Sequence, residues 1–243
     1  MIAAGRVSVS GTLATTSARQ VDGAEPIVVA EPPAGEQFVS RGGVKLAGAL
    51  DAFGVDVAGR HAVDVGSSTG GFTDCLLRRG AAHVVAIDVG HGQLAWELRT
   101  DERVTVMERT NVRALAAGAI DPPADLCVAD LSFISLRTVA PNLLAVTTDD
   151  ADFVLLVKPQ FEAGRAQVGK GGIVRDPAVH AAVLTEVTGA LARHGLGVTA
   201  LEVSPLRGAD GNVEFFARAR RGTEIVDPAE ITRVVASAQG VTA

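Results

Sequence analysis

The sequence predicts an α/β fold, a mostly parallel sheet with helices on both faces, preceded by a small separate N-terminal portion. Three observations predict it. Short apolar runs alternate with helical patterns from about residue 43 onward. The first of these strands passes into a glycine-rich turn that opens a helix, Asp64–Asp74 (DVGSSTGGFTD). Four ionisable residues occupy places where a sheet of this kind gathers its active site, near the carboxyl ends of strands. The chain has 243 residues, 47% of them apolar, which is enough for one such domain and a small appendage.

Residues 1–29 read as short strands: Arg6–Ser10 alternates, Gly11 breaks it, and Ile27–Val29 is a second apolar run. Residues 30–36, with Pro32, Pro33 and Gly35, read as a linker, and 37–243 as the α/β domain. A helix is expected over Gly43–Phe53, with Leu46, Leu50 and Phe53 on one face. Strand His61–Gly66 and helix Gly70–Arg79 follow, the helix stopping at Gly80. Then come strand His83–Asp88, a short helix Gln93–Arg99, strands Val104–Glu108 and Asp125–Asp130, helix Leu136–Ala145 and strand Phe153–Lys158. A glycine-rich loop runs to Asp176, which with Pro177 caps a helix carrying Val179, Val183, Val187 and Leu191. That helix stops at Gly195; strands Val198–Ser204 and Val213–Ala219 and a helix from Pro228 end the chain.

Composition excludes several classes. Cys75 and Cys127 lie in apolar segments without paired spacing, so neither a disulfide framework nor a zinc site is expected, and no other metal site is read. The N-terminus lacks a charged stretch followed by an apolar one, and runs such as Phe153–Val157 are far too short to cross a bilayer. A soluble, cytoplasmic protein without a membrane partner is expected. The net charge of -6 argues against a broadly basic surface for nucleic acid. Basic residues do cluster locally, Arg41 with Lys45, and Arg165 with Lys170 and Arg175.

The turn at Asp64–Asp74 is the strongest signal. Gly66, Gly70 and Gly71 are expected to let the backbone approach a ligand closely, and the helix N-terminus offers free N–H groups. Asp88, ending the next strand, suits hydrogen bonds from both hydroxyls of a ribose. A dinucleotide would call for G-x-G-x-x-G, which is absent. The spacing D-x-G-x-x-x-G-G suits S-adenosylmethionine, with Asp64 near its methionine amino group and Ser67, Phe72 and Thr73 in the same turn. Asn111 is placed near the adenine, and Asp130 and Phe133 complete the expected cofactor set. A plain structural strand–turn–helix is the competing explanation. Gly164–Gly171 is close to a P-loop, but Gly171 stands where Ser or Thr must hold magnesium, so it reads as a flexible loop over the site.

The expected catalytic set is Lys45 in SRGGVKL, Asp130 in ADLSF, Lys158 in VKPQF and Glu214 in GNVEFF. Singly, a lysine at a helix border snorkels and an acid at a strand end caps a helix. Together they resemble the K-D-K-E tetrad of the FtsJ-type ribose 2′-O-methyltransferases. SRGGVKL, STGGFT, GQLAW, ERTN, ADLSFISL, VKPQFE and GNVEFF resemble more closely the TlyA family, whose members often carry the name haemolysin. The resemblance runs from about Phe38 to Phe216.

That resemblance implies a Rossmann-like, S-adenosylmethionine-dependent methyltransferase sheet. It implies methylation of a cytidine 2′-hydroxyl in 16S or 23S ribosomal RNA, with ribosomal RNA or subunits as the partner. A lysine can serve as base only when neutral. Its ordinary pKa of about 10.4 is lowered by a second lysine, burial and a cationic sulfonium. Lys158 is the expected base, Asp130 holds its amine, and Lys45 and Glu214 orient the hydroxyl. Phe133 stacks on cofactor or on an extruded base, core packing being the alternative, and Lys170 touches RNA. The first 29 residues resemble the second half of the RNA-binding domain named for ribosomal protein S-four, without its two opening basic helices. Three rivals stand beside this reading: a small-molecule methyltransferase, a non-catalytic RNA-binding protein, and a pore-forming haemolysin, for which no segment is long enough.

Overall fold

A computed structural model describes residues 2, 7–16, 18–29 and 37–238. The chain divides into two units, 1–37 and 38–243. The expected linker at 30–36 lies outside the described residues.

In the first unit, β1 (Val7–Val9), β2 (Thr12–Leu13) and β3 (Ile27–Val29) form an antiparallel sheet in the order β2-β1-β3. Val9 pairs with Thr12, so Ser10-Gly11 is a two-residue hairpin turn. Both residues have positive φ, the conformation a primed turn needs and Gly supplies without strain. Glu25 gathers the longer connection, accepting from Asp22 N at 3.0 Å and Ser10 Oγ at 3.3 Å.

The second unit carries the expected α/β domain. Its elements are α1 (Arg41–Phe53), β4 (His61–Val65), α2 (Gly71–Arg78), β5 (His83–Ile87), α3 (Trp96–Arg99), β6 (Val104–Met107), β7 (Ala124–Ala129), α4 (Leu136–Ala145), β8 (Thr147–Val157), α5 (Pro159–Glu162), α6 (Pro177–Arg193), β9 (Leu196–Val203), β10 (Phe215–Arg221) and α7 (Pro228–Ser237). The sheet runs β6-β5-β4-β7-β8-β10-β9. The ladders from β6 to β8 are parallel, and β10 runs antiparallel to β8 and β9. Alternate strand residues enter two apolar layers. Val63, Val65, Phe153, Leu155 and Phe215 share one with residues of α4, α6 and α7. Ala62, Leu126, Leu156 and Phe216 share the other with residues of α1 and α2. Burial on both faces explains why these strands read as continuous apolar runs. Strand order reverses between β4 and β7, and such a switch point opens a crevice at the carboxyl ends of the strands.

Several boundaries move. Ser40 caps α1 through the Gly42 amide at 3.3 Å, so that helix starts at Arg41 and not at Gly43. α2 is one residue shorter at each end than expected, and α3 begins only at Trp96, whose indole is 75% exposed. β7 opens and closes one residue early. β8 begins at Thr147, six residues before Phe153, because Thr147 pairs with Ala124 and Asp152 with Leu126. β10 is Phe215–Arg221, so Glu214 sits just ahead of the strand and not within it. The loop after Lys158 contains α5 and a 3-10 turn, Arg165–Gln167. Asp176 caps α6 through the Ala178 amide at 2.8 Å, as expected.

Asp152 at the middle of β8 accepts from Arg60 (2.8 Å), Arg218 (3.0 Å) and Arg220 (2.8 Å), joining the start of β4 to β8 and β10. Cys75 and Cys127 are buried free thiols, and burial pushes Cys75 up to about 12 and Cys127 up as well. Among the described residues no helix is long and apolar enough to cross a membrane.

Candidate active site

The turn between β4 and α2 is shaped by its own amides: Gly66 N and Ser67 N both donate to Ile87 O, at 2.8 and 3.0 Å, and Gly70 N donates to Ser67 O at 2.7 Å. Its glycines are also packed closely against protein neighbours. Gly66 has φ +87°, and a Cβ there would lie 2.5 Å from the Asp130 carbonyl oxygen. A Cβ on Gly70 would meet Leu98 at 2.3 Å. One on Gly71 would meet Ser40 Oγ at 2.2 Å, where α1 and α2 cross.

Two cavities flank this turn. The larger, about 410 Å³, is lined by Asp88, Asn111, Leu131, Phe133 and Gln93. The smaller, about 170 Å³, is lined by Ser67, Gly71, Phe72, Lys45, Arg41 and Arg207. Gly66, Ser68 and Asp130 border both. Asp88 accepts one amide on each oxygen, Ser68 N at 2.8 Å and Gly90 N at 2.7 Å, which fixes its carboxylate on the wall. Asn111 spends its side-chain oxygen on the Arg113 amide (3.0 Å), capping the turn Val112–Ala114.

The Asp64 side chain is fully buried and lines neither cavity. Thr73, also buried, donates Oγ1 to Asp64 Oδ2 at 2.7 Å, while Oδ1 has no partner. Burial pushes this carboxyl up to about 7 against the Thr73 hydrogen bond, with the charges of Asp130 and Asp88 adding to the rise.

The four expected catalytic residues form two ion pairs beside the smaller cavity. Lys45 Nζ lies 2.6 Å from Glu214 Oε2, both buried. Lys158 pairs with Asp130, and its Nζ donates to Ser132 Oγ at 3.2 Å. The lysines therefore do not face each other as bare like charges, as the sequence suggests; each has its own carboxylate. Phe133 is 89% exposed with φ +64°, which rules out core packing. A positive φ is uncommon for so bulky a residue. Its ring lies 4.9 Å from that of Phe161, which lies 5.9 Å from Lys158 Nζ.

Other members of the site escape the sequence reading. Gln160 Nε2 donates to Glu214 Oε1 at 3.3 Å. Glu162 is buried, and burial raises its carboxyl. It accepts from Ser135 Oγ (2.5 Å) and Leu136 N (2.7 Å), holding the segment after Asp130 in place. Both residues lie in VKPQFE, where their neighbours in sequence point to them. Arg207 lies in a loop without pattern and leaves no such signal. In the P-loop-like segment Gly169 N turns back to Ile173 O at 3.1 Å, and no helix follows at once. Lys170 and Arg175 are exposed there, while the Arg165 side chain lies outside the described residues.

Residues 38–221 match the family described as FtsJ-like methyltransferase. A 16S/23S rRNA (cytidine-2′-O)-methyltransferase TlyA of Mycobacterium tuberculosis is 50% identical over 92% of this chain and 83% of its own. Hemolysin A of Brachyspira hyodysenteriae is 38% identical over 89% of this chain and 90% of its own. A solved structure of a hemolysin-named protein from Streptococcus thermophilus is similar at a TM-score of 0.85 and 38% identity, covering 98% of this chain and 87% of that one.

Proposed function

The chain belongs to the FtsJ-like methyltransferase family, and on that premise we propose that it moves a methyl group from S-adenosylmethionine to a ribose 2′-oxygen of ribosomal RNA. A cytidine in 16S or 23S RNA is the target, as in the M. tuberculosis relative. One observation carries the reading: the pairs Lys158–Asp130 and Lys45–Glu214 stand where two cavities meet at the turn Gly66–Phe72.

The residues present fit the cofactor. Asp88 keeps a lone pair on each oxygen beyond its two amide bonds, as two ribose hydroxyls require. A cavity of about 410 Å³ lies in the usual range for a ligand of that size. Asp88 would hold the ribose, Asn111, Leu131 and Phe133 the adenine side, and Gly66, Ser67, Gly71 and Phe72 the methionine end. Asp64, Thr73 and Gly70 support that turn from beneath. Bound there, the cofactor supplies an electrophilic methyl group on a sulfonium.

The chain's own part is to prepare the oxygen. Lys158 would take up the proton of the 2′-hydroxyl at Nζ when that oxygen is methylated. Asp130 and Ser132 hold its Nζ in position. Lys45, fixed by Glu214 and through it by Gln160, orients the hydroxyl. Alignment is the main source of rate in such a transfer. Phe161, whose ring lies beside that of Phe133 and the Lys158 amine, offers a stacking face for the target base. Arg41 and Arg207 on the cavity wall suit a phosphodiester better than a small neutral substrate.

The sheet β2-β1-β3 supports reading residues 1–29 as part of an RNA-binding domain of the ribosomal protein S-four type; Lys170, exposed on its own loop, is read as an RNA contact. A ribosomal substrate places the enzyme in the cytoplasm. The test is methyl transfer from labelled cofactor to intact subunits and to naked ribosomal RNA. The product should resist alkaline cleavage 3′ to the modified nucleotide, and cleavage at that bond would refute the assignment.

A further inference from the structure

The larger cavity has an outer rim that the chemistry above does not use. Trp96 opens α3 with its indole 75% exposed, and Val89 on the cavity wall is 73% exposed. Arg109 and Arg113 flank the wall residues Thr110, Asn111 and Val112, and both are exposed. Among the described residues neither arginine has an acidic partner, whereas Arg99, Arg103, Arg137 and Arg233 each have one.

The acids close by in sequence are already engaged. Glu108 pairs with Arg99 and accepts from Gly92 N at 2.7 Å. Asp88 holds the Ser68 and Gly90 amides. Glu97 follows Trp96 directly, and successive residues lie about 100° apart around a helix, so the two do not share a face. The backbone beneath the cations is fixed. Arg109 N donates to Gly90 O at 2.9 Å, tying the loop after β6 to the loop after β5. Asn111 Oδ1 accepts from Arg113 N at 3.0 Å, and Asn142 donates to Arg113 O at 3.1 Å. Arg109 is held at φ +54°, a conformation that side chains disfavour. Arg99, one turn after Trp96, reaches Glu108, so α3 packs on this same corner.

We propose that this rim is a docking surface for the RNA strand flanking the methylated nucleotide, with Trp96 stacked on an unpaired base and Arg109 and Arg113 on phosphates. The inference rests on the methyl transfer to RNA proposed above. An indole left in water forgoes the gain of burial. An aromatic face beside cations with no acid of their own is complementary to bases joined by phosphates. The rim stands at the carboxyl ends of the strands, as Lys158 and Asp130 do. From β7 to β6 is three strand spacings, about 14 Å, so the bases concerned are neighbours of the target and not the target itself.

Methyl transfer to ribosomal subunits tests it, with cofactor calorimetry alongside to report folding. Trp96→Ala should raise KM for RNA about tenfold, the loss of one stacked base, and leave the rate at saturating RNA and the cofactor Kd unchanged. Arg109→Gly removes the cation and the left-handed strain together, so its KM should rise while its melting temperature does not fall. Arg113→Ala should reduce the slope of log KM against log salt by about one. Benzoylphenylalanine in place of Trp96 should cross-link under light to a nucleotide close to the methylated one. Unchanged KM in both Trp96→Ala and Arg109→Gly would overturn the docking surface and leave the methyl transfer standing. So would a cross-link to a ribosomal protein. Absence of any methyl transfer by the unaltered chain would overturn the functional reading and the surface with it.

Discussion

Lys158 and Asp130 meet because β8 and β7 are neighbours in the sheet and each residue directly follows its strand. Lys158→Ala should therefore lower methyl transfer by about 10²–10⁴-fold, the usual worth of a general base, while cofactor affinity holds. Single-turnover rates beside calorimetry check this, and normal turnover would shift the base to Lys45. Gly66 carries a different kind of cost. Because its missing Cβ faces the Asp130 carbonyl at 2.5 Å, Gly66→Ala should destabilise the apo fold by at least about 1–3 kcal/mol from the left-handed backbone alone. Loss of cofactor binding in that variant thus needs a melting curve beside it. Asp64 makes a pH prediction. Its carboxyl rises from 3.8 to about 7, so the fold prefers the neutral acid. That contribution is whole below about pH 4 and is lost as pH climbs toward 7, with a steepest slope of about 1.4 kcal/mol per pH unit. Urea titrations at pH 5 and pH 8 should show the unaltered protein losing stability relative to Asp64→Asn. Parallel pH profiles for the two would refute it.

At the scale of elements, Asp152 and its three arginines hold β8 to β10 and to the start of β4. Burial raises this carboxyl, but the hydrogen bonds and charges of Arg220 and Arg218 outweigh it and bring it to about 2. Asp152→Ala leaves those cations without their acid and should cost about 3 kcal/mol in urea unfolding; a change within error would make the cluster ornamental. The same stretch shows what a sequence can reveal. The apolar half of β8 is legible from Phe153 onward, but the strand already starts at Thr147, which pairs with Ala124 and is buried, while Asp149 and Asp150 are exposed, and no periodicity betrays it. α1 starts earlier than its apolar face suggests because Ser40, not a hydrophobic residue, sets the boundary. The turn at Gly66–Gly71 is legible as a turn. Its reason is not, since Asp130, Leu98 and Ser40 approach from 28 to 64 positions away in sequence. The tetrad is visible as four residue types, while its division into two ion pairs depends on strand adjacency, and Arg207 enters only through the fold.

For the whole molecule, the second unit contains the complete seven-stranded sheet and every residue assigned to cofactor and catalysis. A chain starting at Phe38 should fold, keep its cofactor affinity by calorimetry, and bind ribosomal RNA more weakly in filter assays at low salt; loss of cofactor binding would contradict this. The overall charge of -6 is compatible with an RNA substrate because cations are placed locally, Arg41, Lys45 and Arg207 on the wall of the smaller cavity. The hemolysin names of some relatives find no counterpart in a helix long and apolar enough for a bilayer among the described residues. The chain's aromatic inventory has an optical corollary. It has one tryptophan and no tyrosine, and Trp96 already stands 75% in water. Its emission is therefore red-shifted in the native protein, and heating or urea will scarcely move it; circular dichroism, not intrinsic fluorescence, is the signal that follows unfolding. The same exposure makes the indole a local reporter. Trp96 opens α3 three residues after Gln93 on the wall of the larger cavity, and Ala95 N is bonded to Thr69 O of the glycine turn at 3.1 Å. Filling that cavity with cofactor should change the brightness of a lamp that denaturation leaves nearly untouched.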